Sequence, residues 1–420
     1  MLASTVVPWS NLQKFKTIDQ ASKSADAFSN SRDDHDDMRF RLLFAIALFW
    51  PTTTPAQVNG KFFFRKEAFA PREPVFLYFE TTNTGTEAQD LARLDNYSAC
   101  STYQIRVSSD PDPKLSWELS AYAGSCFSFL LGLAPGESRT QRVILNYGHN
   151  IDSAGVYGVD VVVQLPDDKE TSTELRQHLQ FRVDKGAEPD PEVIPDLIAQ
   201  LKSYDWAVRE EAAVALTSAA PPSLEDLFLS FAGDSEFRRW APLAFYKLNT
   251  PSSLEAMANL LRASDPGSEE SLRSARFLAK TGDPKWYPLL LEFAQKHSNI
   301  ADYVSYAAES GGDAMLPELN KMMSSSDHES TQANAISALA YTGSRAAVPI
   351  LIELLRDPAP EISERALIGL GELSHRTVGT ELWHDDAQSQ YAAWARWWER
   401  EGASASIYKP DEFGEGRPLN

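Results

Sequence analysis

The chain has 420 residues, 43% of them hydrophobic and 23% charged, enough apolar material for two or three domains with cores of their own. Its 39 Lys+Arg against 59 Asp+Glu give a formal net charge of −20. That balance argues against a nucleic-acid partner and against docking on anionic lipid, since both need clustered basic side chains, and it suits a solvated, self-repelling surface.

Residues 1–37 are polar, rich in Ser and Asp, and end in Asp33-Asp34-His35-Asp36-Asp37. Five consecutive positions cannot converge on one metal ion without a scaffold, so this stretch reads as a disordered or over-extended segment. Met38-Arg39-Phe40-Arg41 is a short basic start, Leu42–Trp50 an unbroken apolar run, and Thr54-Pro55-Ala56 a small-residue exit before Gln57. This is the layout of a signal peptide over 38–56, with cleavage between Ala56 and Gln57 and export to the periplasm or beyond. The run is far shorter than the roughly 20 apolar residues that span a bilayer. The competing reading is a buried strand or short helix. Removing 1–56 takes six Lys/Arg and six Asp/Glu, so the charge stays at −20. Cys100 and Cys126 both remain, and an even pair in an oxidising compartment predicts one disulfide. Closing that loop of about 26 residues is worth about 3–4 kcal/mol by chain entropy. Two free buried thiols are the alternative.

Residues 57–185 show a period of two. Tyr103, Ile105 and Val107 alternate with polar residues, as do Val143, Leu145 and Tyr147, then Tyr157 to Leu165, then Leu179, Phe181 and Val183. Asn83-Thr84-Gly85, Asp110-Pro111-Asp112-Pro113, Pro135-Gly136 and Pro166-Asp167-Asp168 supply turns between them. Seven to nine short strands in this length predict an antiparallel β-sandwich. The stretch Leu133-Ala134-Pro135-Gly136-Glu137-Ser138, a strand, then Ala154-Gly155-Val156-Tyr157 resembles late strands of Ig-like domains in bacterial envelope proteins. The likeness implies shape and location, not activity.

Residues 186–191, Gly-Ala-Glu-Pro-Asp-Pro, form a linker, and the period then changes. Segments 193–216 and 347–370 align without a gap: Pro195 with Pro349, Leu197 with Leu351, Leu201 with Leu355, Glu210 with Glu364, Ala212 with Ala366 and Leu216 with Leu370. The offset is five steps of roughly 31 residues, a period that marks solenoids. Pro288 and Pro317 open intermediate steps, and Thr281-Gly282, Gly311-Gly312, Thr342-Gly343 and Gly371 close second helices, Pro suiting a first turn and Gly a helix end. This resembles HEAT repeats and the related repeats first named for phycobiliprotein lyases. The resemblance implies about six helix pairs from about 191 to 378, within a solenoid that spans 192–401 with its cap, in an α-α superhelix whose concave face is lined mostly by second helices. The expected fold is thus an Ig-like β-sandwich followed by a HEAT-like solenoid. Tyr391, Trp394, Trp397 and Trp398 lie on one helical face and predict a Trp-rich cap; many bacterial HEAT-repeat proteins end with a similar helix. Residues 402–420 read as a flexible tail.

No phosphate loop, zinc-protease helix or nucleophile elbow stands in the sequence, and we expect no catalytic residue, cofactor or metal. Glu309-Ser310-Gly311-Gly312-Asp313 has the letters of a serine-nucleophile run but sits where a helix should end. His375 and His384-Asp385-Asp386 read as loop residues, and Asn96-Tyr97-Ser98 is a glycosylation triplet of little weight. The expected function is non-enzymatic protein or peptide binding on the solenoid, with Arg209, Arg238, Arg239, Arg273 and Arg276 as a basic stripe on the second helices. Regulation or inhibition through a β-sandwich edge is the alternative, and an enzyme such as a lyase the third.

Overall fold

The computed structural model describes residues 58–92, 103–110, 117–120, 130–147, 151–166, 172–325, 329–375, 386–409 and 417–419. All fall within the unit Ala56–Asn420. The 1–37 extension, the signal peptide with Ala56 and Gln57, and the cysteines Cys100 and Cys126 lie outside the described residues.

Among the described residues, ten strands precede the helices: β1 Val58–Phe63, β2 Ala68–Phe69, β3 Phe76–Asn83, β4 Gln89–Ala92, β5 Tyr103–Asp110, β6 Trp117–Ser120, β7 Leu130–Leu133, β8 Ser138–Ile144, β9 Gly155–Pro166 and β10 Ser172–Val183. The count exceeds the expected nine because β2 is only two residues long and β4 pairs with β7 in a ribbon of its own. One sheet runs β1-β3-β8 and the other β2-β10-β9-β5-β6, antiparallel except for β2 against β10. Alternation decides which side chains go inward. Val159, Val161 and Val163 are buried while Asp160 between them is exposed. Leu77, Phe79 and Val143 of the first sheet and Ile105, Val159 and Phe181 of the second share one core, so the two sheets form a sandwich. The period-two run Val143-Leu145-Tyr147 is strand only as far as Ile144. Beyond it the Asn146 side chain takes over the pairing, its Oδ1 accepting from Val75 N at 2.6 Å and its Nδ2 donating to the Glu73 carbonyl at 3.1 Å.

The helices pair as α1 Val193–Gln200 with α2 Trp206–Ala219, α3 Glu225–Phe231 with α4 Ala241–Leu248, α5 Pro251–Ala263 with α6 Glu269–Lys280, α7 Tyr287–Lys296 with α8 Ala301–Gly311, α9 Leu316–Ser325 with α10 Glu329–Tyr341, and α11 Ala347–Leu354 with α12 Pro360–Ser374. A single helix, α13 Ala387–Glu401, follows. Pro195, Pro288, Pro317 and Pro349 all stand in the first turn of a first helix. Gly282, Gly312 and Gly343 end second helices at φ of 65°, 53° and 61°, where a side chain would be strained. Gly371 does not end its helix as expected. α12 runs on to Ser374, and His375 takes the left-handed cap at φ 53°.

The leucines and alanines identical at the five-step offset are core residues. Leu197, Leu201, Ala212 and Leu216, with Leu351, Leu355, Ala366 and Leu370, are all buried. Second helices pack directly on one another from α2 through α12, whereas first helices meet each other far less. Small residues allow that approach: Ala213, Ala275, Ala308 and Ala338 are buried in this layer, and a Cβ on Gly369 of α12 would stand 3.7 Å from Ala340 Cβ of α10. A stack tighter in one layer curves towards it, so the second helices line the inner side.

A stack of hairpins has two open ends, and both are covered. At the first end lies sheet β1-β3-β8. β3 reads FLYFETTN, apolar on both faces because both are buried: Leu77 and Phe79 enter the sandwich, Phe76 and Tyr78 the solenoid core together with Ile144. Arg142 of β8 pairs with Glu211 of α2 and donates to Gln200 at 3.2 Å. Lys247 of α4 donates to the Asn146 carbonyl at 3.2 Å, Arg72 donates to the Lys247 carbonyl at 3.0 Å, and burial holds the Lys247 amine below its ordinary pKa. The linker is tied down as well, Asp190 N donating to Glu73 Oε1 at 3.2 Å.

At the other end α13 packs on α11. Trp394 and Trp397 are buried with ring centroids 5.4 Å apart, edge to face, and the Tyr391 hydroxyl donates to Glu353 at 3.1 Å. The tail expected to be flexible from 402 is held as far as 409. Arg345, in the turn before α11, donates to the carbonyls of Gly402 and Ala405. Strand β11, Ile407–Lys409, then lies against α12 with Ile407 buried, and pairs with β12, Arg417–Leu419. The anchors are one aliphatic side chain and one guanidinium, which polar composition hid.

Candidate functional site

The second-helix face divides into two chemical zones. In the first half, the predicted basic stripe is a ladder of ion pairs. Arg209 pairs with Glu236 at 2.6 Å, Arg238 with Glu270 at 2.8 Å, Arg239 with Glu210, and Arg273 with Glu269 at 2.7 Å. The first three pairs join one repeat to the next. Arg239 and Arg273 also lie over the Trp240 ring at 5.0 Å and 4.5 Å, so that ring sits between two guanidinium groups. Arg209, Arg238, Arg239 and Arg273 therefore have their charge met by a carboxylate, and the first three stitch one repeat to the next.

The fifth, Arg276 of α6, faces the second zone. Its charge bears on Tyr306 and Glu309 of α8 and on Tyr341 of α10. Burial raises the Tyr306 hydroxyl well above its ordinary pKa, helped by Asp302, to which it donates at 3.3 Å. Burial also raises Tyr341, with Glu372 and Glu309 adding to it from either side. Burial raises Glu309 against the opposing charges of Lys409, Lys280 and Arg276, and pushes Glu372 of α12 up to about 7. Lys409 of β11 reaches in and donates to the Glu309 carbonyl, and burial lowers its amine while Glu309 opposes the shift. Beside it, the Tyr408 ring lies 4.8 Å from that of His375. The zone thus holds two carboxylates desolvated beside tyrosines, with a lysine brought in from the chain's own end.

Sequence reasoning missed Tyr306, Glu309, Tyr341, Glu372 and Lys409. The two glutamates had a signal. Glu309 stands three residues before Gly312, and Glu372 three before His375, both left-handed caps. At that position α6 has Ala279 and α10 has Ala340, both buried. A carboxylate where sister repeats bury alanine must lose water, which is why both rise. The serine-nucleophile letters at 309–313 span the end of α8 and the turn after it. Asp386 of the His384–Asp386 run caps α13, accepting from Ser389 N at 2.7 Å, while His384 and Asp385 lie outside the described residues.

A concavity of about 390 Å³ lies between the segment joining β1 to β2, β3, β8 and α1, lined by Arg65, Lys66, Glu73, Tyr78, Arg142 and Asp196 among others. Its charges are largely spent: Glu73 takes Lys66 and two backbone donors, Arg142 takes Glu211, and Arg65 lies over Tyr78 at 4.1 Å. Among the described residues, no group of His, Cys, Asp and Glu could hold a metal, and no helix is long and apolar enough to cross a membrane.

Residues 194–274 and 316–397 match the family model for HEAT repeats. No curated protein matches the chain. The complex of CpcE and CpcF of phycocyanin lyase from Nostoc sp. PCC7120 is 19% identical, with a TM-score of 0.32, over 46% of this chain and 79% of that one. A Salmonella alpha-2-macroglobulin mutant is 14% identical, with a TM-score of 0.19, over 81% of this chain and 27% of that one. Likeness of this degree carries nothing about activity. The family match falls on the helix hairpins that Pro opens and Gly closes, and the helical half of the chain is a HEAT-repeat solenoid.

Proposed function

We propose that this chain is a non-enzymatic binding or scaffolding protein of the cell envelope that receives an extended polypeptide on the second-helix face of its solenoid. The reading is carried by one observation: that face already takes an extended segment, the chain's own Ile407–Lys409, through side chains and a backbone carbonyl of α8 and α12. HEAT repeats suit such ligands because a stack of hairpins presents a long continuous surface. Export is part of the proposal and draws on the basic, apolar and small-residue order of 38–56. The Ig-like reading of the sandwich draws on the Tyr157 hydroxyl, which donates to the Ser153 carbonyl at 2.8 Å as a tyrosine corner does. Action through the β-sandwich is the second reading, and the concavity beside α1 is what favours it.

The test uses the chain from Gln57 onward as bait against an envelope fraction, beside an Ile368→Asp variant. Ile368 is half exposed on α12, next to Arg365, which donates to Ser337 of α10 at 3.1 Å. Partners held by the natural chain and lost by the variant support the reading. Partners held equally by both overturn the placement of binding on this face. N-terminal sequencing of the native protein is expected to begin at Gln57, and a start well upstream defeats export by this signal.

A further inference from the structure

Taking the second-helix face as the binding face, we propose that its α8–α12 end is a receptor for an aliphatic–aromatic–lysine peptide in extended form, and that Ile407-Tyr408-Lys409 is the chain's own competing occupant. Four features of the segment's seat are each matched to one part of such a peptide. Arg345 donates to two main-chain carbonyls, Gly402 and Ala405, three residues apart, which reads backbone and not sequence. Ile407 is 3% exposed and joins the solenoid core, so the seat has an aliphatic pocket. Tyr408 packs its ring on His375, the left-handed cap of α12. Lys409 donates to the Glu309 carbonyl with the Glu309 charge acting on it, and the charges of Glu309 and Glu372 both act on Tyr341.

The lysine is the selective element. A chain of net charge −20 places two half-buried carboxylates, each three residues before a helix cap, where the α6 and α10 repeats place buried alanine. A desolvated carboxylate such as Glu309 favours a cation that comes with a long apolar stem, which can cover it while its amine is satisfied by a carbonyl. An acidic or neutral residue in that place would take away the Lys409 charge that acts on Glu309. The occupant is anchored by one buried side chain and a few polar bonds, so it can be exchanged without unfolding the solenoid.

The experiment keeps the full chain and changes only the occupant. Ile407→Asp with Lys409→Ala removes the buried aliphatic side chain and the lysine and leaves every receptor residue in place. The probe is a fluorescein-labelled synthetic peptide with the sequence of residues 402–411, followed by fluorescence anisotropy. The apparent affinity of a site filled 90–99% by its own segment falls about 10- to 100-fold, so the double variant is expected to bind the peptide at least about tenfold more tightly than the natural chain. A peptide with glutamine in place of its lysine is expected to lose about five- to tenfold on the double variant, as is the natural peptide when Glu309→Gln is added. Equal binding to natural and double-variant chains, or none to a double variant that melts like the natural chain, overturns the inference. So does indifference to both the lysine and Glu309. None of these results touches the Ile368→Asp capture experiment, so failure of the occupant and failure of the binding face are told apart.

Discussion

Glu372→Gln should stabilise the protein in a pH-dependent way. The carboxyl of Glu372 has its pKa pushed from 4.5 to about 7 by burial alone, with no cation opposing the shift. A raised carboxyl pKa means that the folded chain binds a proton the unfolded chain has released. Stability from this group is therefore full below pH 4.5 and declines as pH rises to about 7, above which the group is charged in both states. At about 1.4 kcal/mol per pH unit, the loss across that window is about 3 kcal/mol, and partial exposure of the side chain trims it. Glutamine keeps the shape and never pays the desolvation of a charge. Urea unfolding followed by circular dichroism should thus show the variant more stable by about 2–3 kcal/mol at pH 8 and by less than about 1 kcal/mol at pH 5. Glu309 titrates in the same direction, which is why the difference between variant and natural chain matters rather than either curve alone. A difference that does not change between pH 5 and 8, or a variant that loses stability at pH 8, refutes desolvation as the cause.

Three further outcomes follow from packing and pairing. Arg239→Ala removes the guanidinium paired with the buried Glu210, 9% exposed; we expect a loss of about 1–3 kcal/mol in urea unfolding, with Glu210→Gln restoring part of it in the double variant. Trp394→Ala empties a fully buried site in the cap, with an expected cost of about 3–5 kcal/mol and a selective rise in amide hydrogen exchange over α11 and α13. The solenoid cut from the sandwich at residue 186 uncovers the surface that Phe76, Tyr78 and Ile144 cover; it should bind an apolar dye strongly and self-associate in sedimentation, and a monomeric, dye-free fragment would show that the sheet is not a cap.

The parts of the fold legible in the sequence are those with local causes. Pro195, Pro288, Pro317 and Pro349 mark first turns because a helix start needs no amide donor there, and Gly282, Gly312 and Gly343 mark ends because the backbone turns left-handed. The limit shows at Gly371, where helix packing carries α12 four residues further and histidine takes the strained cap. Register between repeats was harder. Arg239 and Glu210 lie 29 residues apart, Arg209 and Glu236 27, and Arg238 and Glu270 32, each close to one repeat. Opposite charges at that offset, not arginines alone, are what signal a stitched ladder. β3 is the clearest omission. An eight-residue strand apolar on both faces needs a second partner layer, and FLYFETTN already said that something other than the sandwich would cover Phe76 and Tyr78.

The two covered ends explain why binding belongs on the inner face. A solenoid grows until something stops it, since each hairpin exposes an apolar flank to the next. Here a sheet stops one end with Phe76, Tyr78 and Ile144, and a helix stops the other with Trp394 and Trp397. Both stops are locked by charges reaching across: Arg142 to Glu211 at the first, Arg345 to the carbonyls after α13 at the second. Between them, the ladder of arginines and glutamates ties α2 to the α4 and α6 repeats. A frame fixed at both ends and stitched along its first half has little freedom to adapt, so a partner must fit a preformed surface and loses little affinity to ordering the receptor. The second half of that surface is where carboxylates stand in place of alanine and where an aliphatic–aromatic–lysine segment is already seated. Rigidity in one half and desolvated charge in the other are then two parts of one design, the first holding the second in the geometry that selects a lysine.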